Sequence, residues 1–115
     1  MNGFNKVILI GNVGKQPEIR YVDRRPLAEF TLATNEPAYT NPQGKTFGER
    51  TEWHSIVMLD DHALAAEKYI TTGTSLMVEG KLRTRTTTDR AGITHRKTVV
   101  YVDTFDILSR PAANK

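Results

Sequence analysis

Two kinds of side chain in this sequence could take part in binding: cations at alternate positions of one segment, and aromatic rings elsewhere in the chain. In Leu76-Met77-Val78-Glu79-Gly80-Lys81-Leu82-Arg83-Thr84-Arg85 the even positions are apolar, small or neutral, while the odd positions run from Glu79 to Lys81, Arg83 and Arg85. A strand sends alternate side chains to opposite faces, so one face packs on a core and the other presents three cations in a row. Such a row suits a chain of anionic groups. Taken alone, the segment is equally an ordinary solvated sheet face. Gly80, in mid-strand, marks a sharp bend.

A second cluster suggests different chemistry. His54, Ser55, Asp60, Asp61 and His62 lie close together and carry potential metal ligands or nucleophiles, as a small metal-dependent enzyme would need. No His-x-x-x-His or comparable ligand spacing joins them, and Asp60-Asp61 suits the start of a helix, where carboxylates cap the free N–H groups. Gly11 and Gly14 resemble a phosphate-cradling loop only superficially, because Pro17 and a strand-like segment follow where a helix is required. No metal, cofactor or catalytic residue is therefore expected.

The 115 residues suffice for one domain with a real core. Cysteine is absent, which excludes disulfides and thiolate sites and fits a reducing compartment. No segment approaches a signal peptide or the roughly 20 apolar residues of a membrane span, so the expectation is a soluble, cytoplasmic protein. The net charge is +3 and the pI near 9.3. Acids gather at Glu49/Glu52, Asp60-Asp61 and Asp103/Asp106, and bases at 20–25, 81–90 and 96–97, a segregation that suits a polyanionic partner.

The elements that must position these groups follow from periodicity. A β-branched apolar run, Val7 to Ile10, reads as a strand covered on both faces, one of them by another subunit. The extended pattern resumes over Glu18 to Val22, and Asp23-Arg24-Arg25-Pro26 is a turn. Ala28, Phe30 and Leu32 alternate with Glu29, Thr31 and Ala33. Residues 35–49 form a long loop or ribbon holding Tyr39, Lys45 and Phe47, and such loops are commonly functional. Thr51 to Leu59 is a strand in which Trp53 is in phase with Ser55, Val57 and Leu59, a pattern that serves a buried ring as well as a stacking one. Ala63 to Thr72 is a short helix ended at Gly73. Ser75 to Thr86 and Thr94 to Leu108 are strands joined by a hairpin through Asp89-Arg90-Ala91-Gly92, with His95 lacking an evident partner. Five strands with one short helix between the third and fourth match the five-stranded Greek-key barrel called the OB-fold, an all-β class.

Five segments in register carry a resemblance: Asn5 to Gly14, Pro17 to Tyr21, Phe30 to Thr34, Thr51 to His54 and Val78 to Arg85. They resemble the bacterial single-stranded DNA-binding protein family, over roughly residues 4 to 108. The resemblance implies an OB-fold domain over 1–108, homotetrameric assembly (a dimer being the smaller option), and sequence-independent binding and protection of single-stranded DNA in replication, recombination and repair. It puts Trp53 at one of the family's base-stacking positions and Tyr39 at another. Leu59 and Thr87 depart from the pattern, standing where the best-known members carry rings, which implies weaker binding per nucleotide or reliance on Phe47. Family members usually continue into a disordered tail with an acidic tip that recruits repair and replication proteins. Residues 109–115 read instead as a flexible end without that tip, so recruitment of such partners is in doubt.

The expected DNA-binding set is therefore Tyr39, Phe47 and Trp53 for bases, and Lys81, Arg83 and Arg85 for phosphates. Lys6, Arg20, Lys45, Arg50, Arg96 and Lys97 are further cations for the groove. The alternative within the same fold is an interaction protein of the primosome type or an RNA binder. The expected location is the cytoplasm, in association with the nucleoid.

Overall fold

The computed structural model describes residues 2–111. Among these, eight strands and one helix follow in order: β1 (Val7–Val13), β2 (Glu18–Val22), β3 (Arg25–Glu36), β4 (Tyr39–Thr40), β5 (Thr46–Phe47), β6 (Arg50–Leu59), α1 (Asp61–Tyr69), β7 (Ser75–Thr88) and β8 (Thr94–Ser109). Six strands form one sheet in the order β1-β7-β8-β6-β3-β2, and β4 and β5 pair as a separate ribbon. All pairings are antiparallel except β6 with β8, which run parallel through two residue pairs.

This corrects the expected five-stranded barrel. The topology is OB-like with a single helix between β6 and β7, but the sheet is not closed into a barrel. β1 meets β3 only at Asn12↔Ala33 and Val13↔Leu32, so the sheet curls back on itself at one corner and stays open along the rest of β1. The strand count differs for local reasons. Between β1 and β2 the Gly14 N–H donates to the Thr31 carbonyl, and Pro17 has no N–H for a ladder, so one expected strand becomes two. The 35–49 segment contributes the small ribbon.

Turns are set by backbone chemistry at a few positions. Asp23 and Arg24 both have positive φ (51° and 67°), which closes a two-residue hairpin whose twist matches that of β2 and β3. β3 therefore begins at Arg25, inside the stretch expected to be turn. The helix starts two residues earlier than the pattern implies, and Ile70, in extended conformation, ends it before Gly73. Asp60 occupies the N-cap position but makes no side-chain cap bond. Its carboxylate instead takes a two-pronged bond from Arg25, at 3.0 and 2.6 Å. Arg25 thereby holds the Asp60 carboxyl below the usual carboxylate range. Residues 112–115 of the expected flexible end lie outside the described residues, and Ser109 closes β8.

The core lies on one face of the curled sheet. Ala28, Phe30 and Leu32 of β3, Ile56 and Met58 of β6, and Leu76 and Val78 of β7 are buried against Ala63, Ala66 and Ile70. β8 keeps to this face through a bulge. Glu79 pairs with Thr104 and Gly80 with Val102, so Asp103 is passed over and the inward phase changes from Val100 and Val102 to Phe105 and Ile107. At the bulge a Cβ on Gly80 would run into the Tyr101 carbonyl. Beyond it Val99 and Val100 of β8 are still buried, but Leu82, expected inside, is half exposed, and from Thr84 to Thr98 the β7–β8 hairpin has no buried residue.

Because the obstacle at Gly80 is backbone, Gly80→Ala should lower the unfolding free energy by about 1–3 kcal/mol in urea denaturation. An unchanged midpoint would show that the β7–β8 ladder gives way freely there.

Candidate nucleic-acid interface

The other face of the sheet is assembled by register. Residues directly opposite one another across strands share a face, and the pairs Leu27↔Leu59, Glu29↔Val57, Thr31↔Ser55, Ala33↔Trp53, Val57↔Tyr101, Arg83↔Val99 and Arg85↔Lys97 place all their members on the outer side. β2 adds Arg20, opposite Leu27. Leu27, Val57 and Val99 are buried here, with Leu59 and Tyr101 packed against them, so this face has its own apolar floor.

Cations ring that floor. The Arg83 guanidinium sits over the Tyr101 ring, 4.6 Å from its centre. Arg85 donates to Glu29 Oε1 at 3.0 Å, Arg20 approaches the same oxygen at 3.5 Å, and Lys97 Nζ lies 4.0 Å from Oε2. Partial burial works against the charge on Arg85, but bonding to Glu29 and Tyr101 outweighs it and holds its pKa above the ordinary value. Lys81, in the same phase of β7, forms no ion pair among the described residues.

Trp53 is 62% exposed, which answers the ambiguity of its phase: the ring is not in the core. It rests over Gly14, where a Cβ would strike it. A second aromatic group stands on the β4–β5 ribbon. Tyr39 and Phe47 are stacked with centres 5.1 Å apart, and Lys45 lies over Phe47 at 5.2 Å. With Glu36, Pro37 and Arg50 the two rings border a cleft of about 490 Å³. Arg50 also pairs with Glu52 at 3.4 Å.

The structure thus brings Arg20, Trp53, Arg83, Arg85 and Lys97 to one face and gathers Tyr39, Lys45, Phe47 and Arg50 at the ribbon. Two expected cations stand apart. Lys6 pairs with Glu79 at 3.2 Å near the exposed Ile8 and Ile10 of β1, and Arg96 points to the opposite side of the hairpin from Lys97. Leu59 forms part of the floor, and Thr87 pairs with His95 far out on the hairpin. Glu29 and Tyr101 escaped the sequence reading as site residues. The alternation in β3 already turned Glu29 away from Phe30, but its partner Arg85 is 56 positions away, and nothing local signals that contact.

Three of the groups that suggested an enzyme are engaged in other contacts. His54 Nε2 bonds to Thr34 Oγ1 at 2.9 Å, Asp60 to Arg25, and the His62 ring stands edge-on to Phe105. Among the described residues no three His, Cys, Asp or Glu side chains are grouped to hold a metal ion.

A curled sheet with its core on one face, and cations, an apolar floor and an exposed indole on the other, defines the class of OB-like binders of flexible polyanions. The model of the single-strand binding protein family matches residues 4–108, and the chain belongs to that family. It is 44% identical over 111 residues to a single-stranded DNA-binding protein of Bacteroides thetaiotaomicron, covering 96% of this chain and 69% of the relative. It superposes on the SSB of Plasmodium falciparum, solved in complex with ssDNA, with a TM-score of 0.78 at 29% identity, covering 92% of this chain and 94% of the other. The family is one of non-catalytic binders.

The hairpin tip is held by Asp89, which accepts the backbone N–H groups of Ala91 and Ile93 and contacts His95 Nε2 at 2.9 Å. The bond to His95, then those to Ile93 and Ala91, lower the Asp89 pKa from its ordinary 3.8. A depressed folded pKa means that this stabilisation is complete above the ordinary value and is lost as pH falls through the lower one. The Ala91 and Ile93 amide resonances should therefore titrate with a midpoint below 3.8. A midpoint at or above it would show the tip held some other way.

Proposed function

We propose that this chain binds and protects single-stranded DNA without regard to sequence, stacking bases on aromatic rings and tracking phosphates with the cations of the outer face. The observation that carries this reading is the exposed Trp53 on the same face as Arg83, Arg85 and Lys97, over an apolar floor, in a member of the single-strand binding family. A binder indifferent to sequence needs cations for the backbone and flat surfaces for bases, since every base has a π-face. Trp53 serves as the principal stacking ring, with Tyr39 and Phe47 on the ribbon as a second platform. Lys81, Arg83 and Arg85 form the central phosphate track, continued by Arg20 and Lys97 and, at the ribbon, by Lys45 and Arg50. Lys6 and Arg96 act at its margins. The roles in replication, recombination and repair follow from family membership. We place the protein with its ligand, at the nucleoid in the cytoplasm; no described helix is long and apolar enough to cross a membrane.

Assembly follows from β1. From Val7 to Gly11 this strand is paired with β7 on one side only, while Ile8 and Ile10 are 59% and 63% exposed. An unpaired edge beside exposed isoleucines favours association with further copies of the chain. We propose a homotetramer, with a dimer as its building unit. Light scattering at micromolar concentration should return about four times the 12.9 kDa chain mass. A monomer would refute this.

Titration with oligo(dT) should quench the single tryptophan. Trp53→Ala should weaken binding by about 1–3 kcal/mol. Arg83→Ala should weaken all sequences alike and make the log–log salt slope shallower by about 0.7. Absence of quenching, or equal affinity for duplex DNA or RNA, would overturn the reading in favour of an RNA-binding or interaction module.

A further inference from the structure

We propose that Glu29 is a built-in competitor for phosphate, which lowers the affinity of the outer face for DNA and limits how many of its cations a bound strand can use. This inference rests on the reading of the outer face as the DNA-binding surface. Glu29 stands on that face between β2 and β6, and three of its cations converge on this one carboxylate: Arg85 at 3.0 Å, Arg20 at 3.5 Å and Lys97 at 4.0 Å. The carboxylate is not sealed off. Its side chain is 27% exposed and borders a polar recess of about 190 Å³ with Lys15, Glu18, Thr31, Ser55 and Lys97.

A carboxylate and a phosphate offer a guanidinium the same thing, an anionic pair of acceptor oxygens. Each phosphate that reaches Arg20, Arg85 or Lys97 must therefore displace Glu29 or share its donors with it. While the carboxylate remains charged, three cations act on a strand as a net charge of about two, since one is neutralised internally. The arrangement also serves release. Arg85 is the least exposed of the three, with 23% of its side chain accessible, and a bare charge there is costly. When a phosphate leaves, Glu29 takes its place, so the strand peels away without leaving Arg85 unpaired.

Glu29→Gln separates this role from a merely structural one, because the amide oxygen still accepts the Arg85 bond while the charge is gone. Binding of oligo(dT) by Glu29→Gln should be tighter by about threefold or more at low salt, with a salt slope steeper by about 0.7. Glu29→Thr, which suits a strand, should shift both in the same direction. Glu67→Gln, an equal change in net charge on the exposed side of α1, should alter affinity by less than about twofold. Arg85→Ala should weaken binding more in the Glu29→Gln background than in the wild type, where Glu29 already engages that cation. If Glu29 only braces the sheet, both substitutions lower the thermal midpoint and leave affinity and slope unchanged or reduced, which overturns the proposal. Failure of the wild type to bind oligo(dT) would overturn the functional reading as well, whereas normal wild-type binding without the gain in Glu29→Gln would overturn this inference alone.

Discussion

The register of β3 against β6 is the constraint on which both faces of the molecule depend. Ten consecutive pairs, from Leu27↔Leu59 to Glu36↔Arg50, lock the two strands together. With a side-chain period of two, that register sends Phe30, Leu32, Ile56 and Met58 inward and Glu29, Thr31, Trp53 and Ser55 outward in one step. A slip of either strand by one residue would exchange the sets, burying Glu29 and the indole while exposing the core. The burial of Phe30 and Met58 thus fixes where Trp53 stands.

The remaining strands carry that division around the curl by local irregularities. At β8 an uninterrupted alternation would have turned Phe105 and Ile107 outward; passing over Asp103 restores them to the core and leaves Tyr101 outside, where it supports Arg83. Gly80 permits the close approach of β7 and β8 that this bulge needs. From Thr84 to Thr98 the hairpin carries no buried residue, and it is held by its own ladder, by the Asp89 tip and by the ion pairs to Glu29. Of its cations, Arg85 and Lys97 are ordered by Glu29 of β3 and Arg83 by the Tyr101 ring of β8.

Legibility in the sequence followed the range of the interactions. Strand phases, the helix between β6 and β7, the Gly80 bend and the outward row of Arg83 and Arg85 are effects of neighbours in the chain, and periodicity exposes them. The OB-like order of strands and helix, and the family, were legible because several such segments keep their order. Closure of the sheet was not, because it depends on β1 and β3 meeting over their full lengths, and two pairs at one corner leave no local trace. The phase of Trp53 was readable but its exposure was not: the residue pairs with Ala33 and leans on Gly14, both remote in sequence. The convergence of Arg20, Arg85 and Lys97 on Glu29 is likewise a property of the folded sheet.

The balance between stacking and charge on this surface follows from where its rings have gone. Leu59 stands at a position where the resemblance leads one to expect an aromatic ring, and it lies instead in the floor with Val57 and Tyr101. Tyr101 is itself covered by the Arg83 guanidinium, and Tyr39 and Phe47 spend one face on each other. On the proposed reading, Trp53 is then the ring with most surface free for a base. One stacked base contributes about 1–3 kcal/mol, which falls short of micromolar binding at about 8 kcal/mol. The remainder must come from the cations and from rings in the ribbon that re-pair with bases. A surface built this way depends on ionic strength more steeply than one lined with four free rings, and the ion pairs that now quench its cations become the terms that set its affinity.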